Sequence, residues 1–304
     1  MLSSFQWFVA RYLAKNFHTL AVHRHALLRD FSDGSNLNVG SFVGSSTAPQ
    51  DLPIGPADNI VVYANHASWW DPLAAIFVAQ RLFAGWAMYA PIDAEALRQY
   101  PMFGRMGFFG VEQHSSRGAA EFLRTAEGIL KRPATSLWLT PEGRFADVRD
   151  TTAKLMPGLA HLARKLSKPQ HLPLGQHGSA AELRMDGRAA AGHAARVWFI
   201  PLAVEYTFWE ERQPELLMRF GQPLSAAELT ASSKQTCDRI LTDRLRTAQA
   251  ELATLSISRD ASQFEILLGG SRGTFFVYDW WRTLCGRMRG EPVKTAHGEK
   301  FEQR

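Results

Sequence analysis

Hydrophobic positions along this chain fall into two rhythms. Continuous apolar runs bounded by polar or turn residues, Ile60 to Ala64, Ser136-Leu137-Trp138-Leu139 and Val197 to Val204, read as strands, and Gly85-Trp86-Ala87-Met88-Tyr89 as another. Helical spacing predicts a helix from Pro72 through Leu73, Ile76, Phe77 and Gln80. Further helices are expected over Ala119 to Leu130, up to about Leu166, and over Ala226 to Leu255, the last started by Ser225. The amino terminus is amphipathic, with Phe5, Phe8, Val9, Tyr12, Leu13 and Leu20 on a stripe that Gln6, Arg11, Lys15 and His18 largely avoid. Such a helix has two natural places: a membrane interface, with Trp7 at headgroup level, or the surface of its own domain.

Gaps between these elements set the organisation. Residues 30–58 are rich in Gly, Ser, Asn, Asp and Pro and read as a linker, so residues 1–57 form an amino-terminal helix and linker ahead of a core at 58–224. Within that core, 167–196 carries Lys168-Pro169, Pro173, Gly175, Gly178, Gly187 and Gly192 and reads as a mobile loop insertion. Residues 225–289 form a carboxyl-terminal helical extension whose Phe275-Phe276-Val277-Tyr278-Asp279-Trp280-Trp281-Arg282 suits a membrane surface or a core, and the polar tail 290–304 is expected to be disordered.

Composition narrows the partners. With 304 residues, 46% hydrophobic and 21% charged, the chain can bury a substantial core. The net charge of +5 and pI near 9.4 point to an anionic partner. Nucleic acid is excluded as that partner, because the chain has no zinc-finger spacing, aromatic RNA-binding signature or long basic run. A membrane lipid surface or an acidic co-substrate fits instead. Cys237 and Cys285 are far apart and form no disulfide framework, so a reducing compartment is expected. His23-Arg24-His25 lacks a further ligand at metal spacing, and no metal is expected; Gly269-Gly270-Ser271-Arg272-Gly273 is too irregular for a phosphate loop. The amino-terminal apolar residues are broken by Arg11 and Lys15, which does not fit a signal peptide, and no run of 18 uncharged apolar residues occurs. The expected location is cytoplasmic, peripheral on the inner face of the cell membrane.

The candidate chemistry starts at Asn65-His66-Ala67-Ser68-Trp69-Trp70-Asp71-Pro72, directly behind the strand ending at Ala64. A neutral imidazole can take a proton from an alcohol near neutral pH, and a carboxylate on its other nitrogen fixes the tautomer. On a continuous helix a step of five residues would turn Asp71 roughly 140° away from His66, so the pair needs a turn. Asp71-Pro72 supplies it, with Asp71 expected at the N-cap of the following helix. Further on, Thr140-Pro141-Glu142-Gly143-Arg144-Phe145 follows the strand at Leu139, in the place where α/β folds gather ligand groups.

Taken with Gly107-Phe108-Phe109-Gly110-Val111-Glu112-Gln113 and Phe199-Ile200-Pro201-Leu202, this order of motifs resembles the glycerolipid acyltransferase family, which includes 1-acylglycerol-3-phosphate O-acyltransferases, over about residues 58 to 222. The family's His-x4-Asp block matches His66 and Asp71. Its second block ends in an Arg where this chain has Gln113, and its Pro-Glu-Gly-Thr-Arg block meets Pro141-Glu142-Gly143-Arg144, so the Thr is missing and the Arg arrives one residue early.

The resemblance implies an α/β fold, a mixed β-sheet flanked by helices. It implies an O-acyltransferase in which His66 deprotonates an acceptor hydroxyl that attacks the thioester of acyl-CoA or acyl-carrier protein, Asp71 holds His66, and nearby donors stabilise the oxyanion. The donor is a co-substrate, and no bound cofactor is implied. Asn65, Gln113, Arg117, Glu142, Gly143, Arg144 and Pro201 are the implied substrate-binding residues. Arg144 suits a phosphate and Gln113 cannot pair with one as an ion, while Arg117 either substitutes for it or is a solvated charge. A lysophospholipid is the implied acceptor, with an unphosphorylated lipid or glycolipid alcohol, or water in a hydrolase, as the alternatives.

Overall fold

The computed structural model describes residues 2–23, 54–113, 115–168 and 196–270. Residues 169–195 of the expected loop insertion, most of the linker, Cys285, the aromatic stretch at 275–282 and the tail lie outside the described residues.

The centre of the fold is β2 (Asn59–Ala64), all six of whose residues are buried. Its apolar content leaves it no exposed side, and it pairs in parallel with β5 (Thr135–Leu139) on one flank and β6 (Val197–Thr207) on the other, Ile60 lying opposite both Ser136 and Trp198. Beyond β5 come β3 (Ala87–Asp93) and the edge strand β4 (Phe108–Val111), both parallel. Beyond β6 come antiparallel β7 (Glu215–Phe220), then β1 (Thr19–His23), parallel to β7, and antiparallel β9 (Phe264–Gly269) at the other edge. The short β8 (Leu224–Ser225) also pairs with β6, completing a nine-stranded mixed sheet in the order β4-β3-β5-β2-β6-β7-β1-β9.

Alternation along β2 divides the core. Ile60, Val62 and Ala64 point into a cluster closed by α1 (Leu2–Asn16) and α2 (Asp71–Leu82), with Val9, Leu13, Ile76 and Phe77. Val61 and Tyr63 point the other way, to Leu130 of α4 (Ser116–Leu130), Leu159 and Leu162 of α5 (Pro157–Leu166), and Leu241 and Leu245 of α6 (Lys234–Ser258). A short α3 (Ala94–Gln99) links β3 to a 3-10 turn at Pro101–Met106. Helices on both faces of a mostly parallel sheet give the α/β class expected from the motif order. Residues before 58 and after 225 contribute β1, α6 and β9 to this same sheet and core.

Several local expectations change. Leu20 lies in β1 and not on the amino-terminal helix, whose last turn ends at Asn16. The strand expected at Gly85–Tyr89 begins at Ala87 and runs to Asp93, because its parallel partners β5 and β4 carry it through Pro91. The helix expected over Ala226–Leu255 is two elements. Ser225 does start one, through a capping box with Glu228, but it is only a 3-10 turn over Ala226–Leu229. A second cap at Ser233 then starts α6.

Candidate active site

The carboxyl ends of β2, β5 and β6 meet at one edge of the sheet, where loops from parallel strands converge. Asn65, buried at the end of β2, pins that strand to its neighbour: its side chain donates to the Val204 carbonyl at 2.9 Å and accepts from the Val204 N–H at 2.8 Å. The chain then leaves the sheet, and His66 is held from two sides. Its N–H donates to Glu142 Oε2 at 2.7 Å and its carbonyl accepts from the Ala146 N–H at 2.9 Å. Both backbone groups are therefore bound by the loop after β5.

The imidazole meets Asp71 through the turn that the spacing required. His66 Nδ1 lies 2.7 Å from Asp71 Oδ2. Asp71 is the first residue of α2; Trp70 occupies the N-cap, which corrects the expectation that Asp71 caps the helix. The reason is that the carboxylate is already engaged. Besides His66, Oδ2 accepts from the Ser68 N–H at 3.0 Å and Oδ1 from the Tyr206 hydroxyl at 2.6 Å. Burial, and then the Asp71 charge, push the Tyr206 phenol pKa up, so the hydroxyl stays protonated and acts only as a donor towards Asp71. A carboxylate on Nδ1 favours the tautomer that carries its proton there, in which Nε2 keeps its lone pair. The Asp71 side chain is 4% exposed and that of His66 18%, so the imidazole opens to solvent while the carboxylate does not.

Glu142 is likewise an internal group. One oxygen takes the His66 N–H and the other accepts from Arg246 Nη1 of α6 at 3.0 Å. Arg246 also donates to the Ala153 carbonyl and to Gln249. Gly143 turns the chain at φ 64°, in the left-handed region that favours glycine, and a Cβ there would also displace the flexible Met156 side chain, whose Sδ would lie 2.2 Å away. Outside this turn the chain meets solvent. Arg144 is 65% exposed and lies 3.7 Å from Asp150. Phe145 is 58% exposed and stands over His66 with ring centroids 4.4 Å apart.

The structure thus brings together Asn65, His66, Asp71, Glu142, Gly143 and Arg144. It places the other expected residues elsewhere. Gln113 and Arg117 are exposed beyond the edge strand β4, and among the described residues neither has a hydrogen-bond or ion-pair partner. Pro201 sits inside β6 opposite Tyr63, packed against Gly221. Tyr206 and Arg246 are site residues that sequence reasoning missed. Each lies more than 100 positions from its partner, and a tyrosine in a strand or an arginine on a helix carries no local signal.

Under α2, an apolar cavity of about 70 Å³ reaches Asp71 and is lined by Ala64, Ala75, Val78, Met88 and Leu202 among others. Among the described residues no group of three metal-ligating side chains occurs, and no helix is long and apolar enough to cross a membrane.

A histidine–carboxylate pair thus lies at the carboxyl edge of an α/β sheet, beside an apolar cavity. Residues 42–176 match the family described as Acyltransferase, the class of enzyme that the motif order implied. The crystal structure of the 1-acyl-sn-glycerophosphate (LPA) acyltransferase PlsC from Thermotoga maritima is similar at a TM-score of 0.41 and 15% identity, covering 83% of this chain and 79% of that one. No curated protein matches significantly.

Proposed function

We propose that the protein transfers a fatty acyl group from acyl-CoA or acyl-carrier protein to a lipid hydroxyl, with His66 as general base and Asp71 as its orienter. The observation that carries this reading is the 2.7 Å contact of His66 Nδ1 with an Asp71 carboxylate that two further donors hold in place. His66 Nε2 takes the hydroxyl proton as the oxygen attacks the thioester carbon. The tetrahedral oxyanion then collapses, the C–S bond breaks, and the imidazolium returns the proton to the departing thiolate. The apolar cavity against Asp71 suits the first part of an acyl chain.

A lipid surface is the second part of the proposal. Val9 and Leu13 of α1 are buried in the domain, yet Trp7 is 64% and Phe8 54% exposed, with Arg11 over the Trp7 ring. Rings run from there towards the site: Phe8 to Tyr12, Tyr12 to Trp70 and Trp70 to the exposed Trp69, three residues from His66. Exposed aromatics with adjacent cations favour an anionic interface on a peripheral protein.

Thiol release from acyl-CoA, with and without a panel of lipid alcohols and with product masses recorded, tests the chemistry. Acceptor-dependent release that falls at least ~10²-fold in His66→Ala, with donor binding retained, is the expected result. Near wild-type turnover in that variant would overturn it, and release without any acceptor would make the protein a hydrolase. For the lipid surface, co-sedimentation with vesicles containing phosphatidylserine should weaken in Trp7→Ala/Phe8→Ala; unchanged co-sedimentation removes that part.

A further inference from the structure

We infer that the acceptor half of this site takes a neutral lipid alcohol, whose carbon–hydrogen face packs on Phe145, and not an alcohol carrying a phosphate beside the reacting hydroxyl. The inference rests on the acyltransferase reading and departs from the lysophospholipid that the motif order implies.

The argument begins with the surroundings of the base. Among the described residues, the polar and ring partners of the His66 imidazole are the Asp71 carboxylate and the Phe145 ring, at a centroid separation of 4.4 Å and a tilt of 47°. A large apolar ring left 58% exposed in a turn gains little burial from the fold itself, and it adjoins the one part of the pair that solvent reaches. Whatever alcohol presents its oxygen to Nε2 must lie along this ring.

Among the described residues, the cations nearest that position are paired. Arg246 is committed to Glu142, Ala153 and Gln249 in the interior. Arg144, directly before Phe145, lies against Asp150, and Arg149 pairs with Asp147 at 2.7 Å, so the loop presents its charges as matched pairs. Gln113 is neutral, and Arg117 belongs to α4, next to an edge strand separated from β2 by β3 and β5. A phosphate placed a carbon or two from the reacting hydroxyl would lose water and, among the described residues, meet no guanidinium that is not already paired, beside the buried Asp71 charge. A neutral polyol or ring alcohol meets neither cost, and its C–H face complements the aromatic surface.

The test compares 1-monoacylglycerol with 1-acylglycerol-3-phosphate of the same chain length, in mixed detergent micelles, by binding to the His66→Ala protein and by turnover of the wild type. Binding is read without the catalytic base, so it is independent of whether transfer occurs. The monoacylglycerol should bind at least about tenfold more tightly, and Phe145→Ala should remove most of that preference. Phe145→Arg should shift the kcat/KM ratio towards the phosphate, while Arg117→Ala leaves it unchanged. Equal or tighter binding of the phosphate, no binding of either lipid, or a preference insensitive to Phe145 overturns the inference. Preserved binding order without turnover of either alcohol instead removes the transferase reading and leaves the neutral pocket standing.

Discussion

The inner and outer halves of the site are built by opposite rules. Inside, His66, Asp71, Tyr206, Glu142 and Arg246 come from β2 and its following loop, α2, β6, the loop after β5, and α6, and they form one connected set of hydrogen bonds with little solvent. Outside, Arg144 to Asp150 is a single exposed loop whose charge pairs are local. Buried polar groups need their partners, so each inner residue constrains the next, whereas an exposed pair contributes little and can be exchanged. The His66–Asp71 contact is thus fixed by the fold, while the exposed side chains beside it belong to a loop whose charge pairs are local.

The largest effect should come from Asp71→Asn. An amide donating to Nδ1 would place the imidazole proton on Nε2, where it blocks the base, and kcat should fall by at least ~10² with the circular dichroism spectrum unchanged; a smaller loss would mean that Asp71 is structural. Next is Glu142→Ala, which strips a buried guanidinium of its carboxylate. Chemical denaturation should show a loss of about 3–5 kcal/mol, and the double variant with Arg246→Met should recover part of it. Additive losses would separate the two residues.

Tyr206→Phe removes one donor to Asp71 while keeping the ring, and a cost of about 1–1.5 kcal/mol is expected, with a lower kcat and little change in KM for the donor. Glu205, the residue before it, gives a pH test. Burial raises its carboxyl pKa, against the opposing effect of the Ser256 hydroxyl at 2.8 Å. A raised folded-state pKa stabilises while the group is protonated, and this contribution is lost as pH rises from the ordinary carboxylate range through the raised value. The Tm difference between Glu205→Gln and wild type should therefore grow in favour of the variant from pH 4 to pH 7; a constant difference would contradict it. The smallest effect belongs to the outer loop, where Arg149→Ala should leave Tm and donor kinetics at their wild-type values.

Legibility in the sequence follows the same division. The central strands could be read because β2, β5 and β6 are buried on both faces and so carry unbroken apolar runs. His66 and Asp71 could be read because a five-residue step is local and a turn suffices to close it. Edge strand β9 and the donors Tyr206 and Arg246 could not, since their partners are set by tertiary pairing across 104 to 250 positions of chain and no periodicity reports it. Leu20 reads as helical from sequence because a buried strand residue and a helix-stripe residue look alike to hydrophobicity alone.

The position of Arg246 bears on how the chain could be divided. The segment that the family description covers, 42–176, contains His66, Asp71 and Glu142, yet the phenol that holds one carboxylate and the guanidinium that neutralises the other arrive from Tyr206 and Arg246, downstream of it. That segment also ends before β6, the strand that Asn65 clasps. A fragment cut at its boundary would keep His66, Asp71 and Glu142 and lose their scaffolding, so the unit that could be transplanted, shuffled or inherited intact is the sheet through α6 and not the motif-bearing stretch.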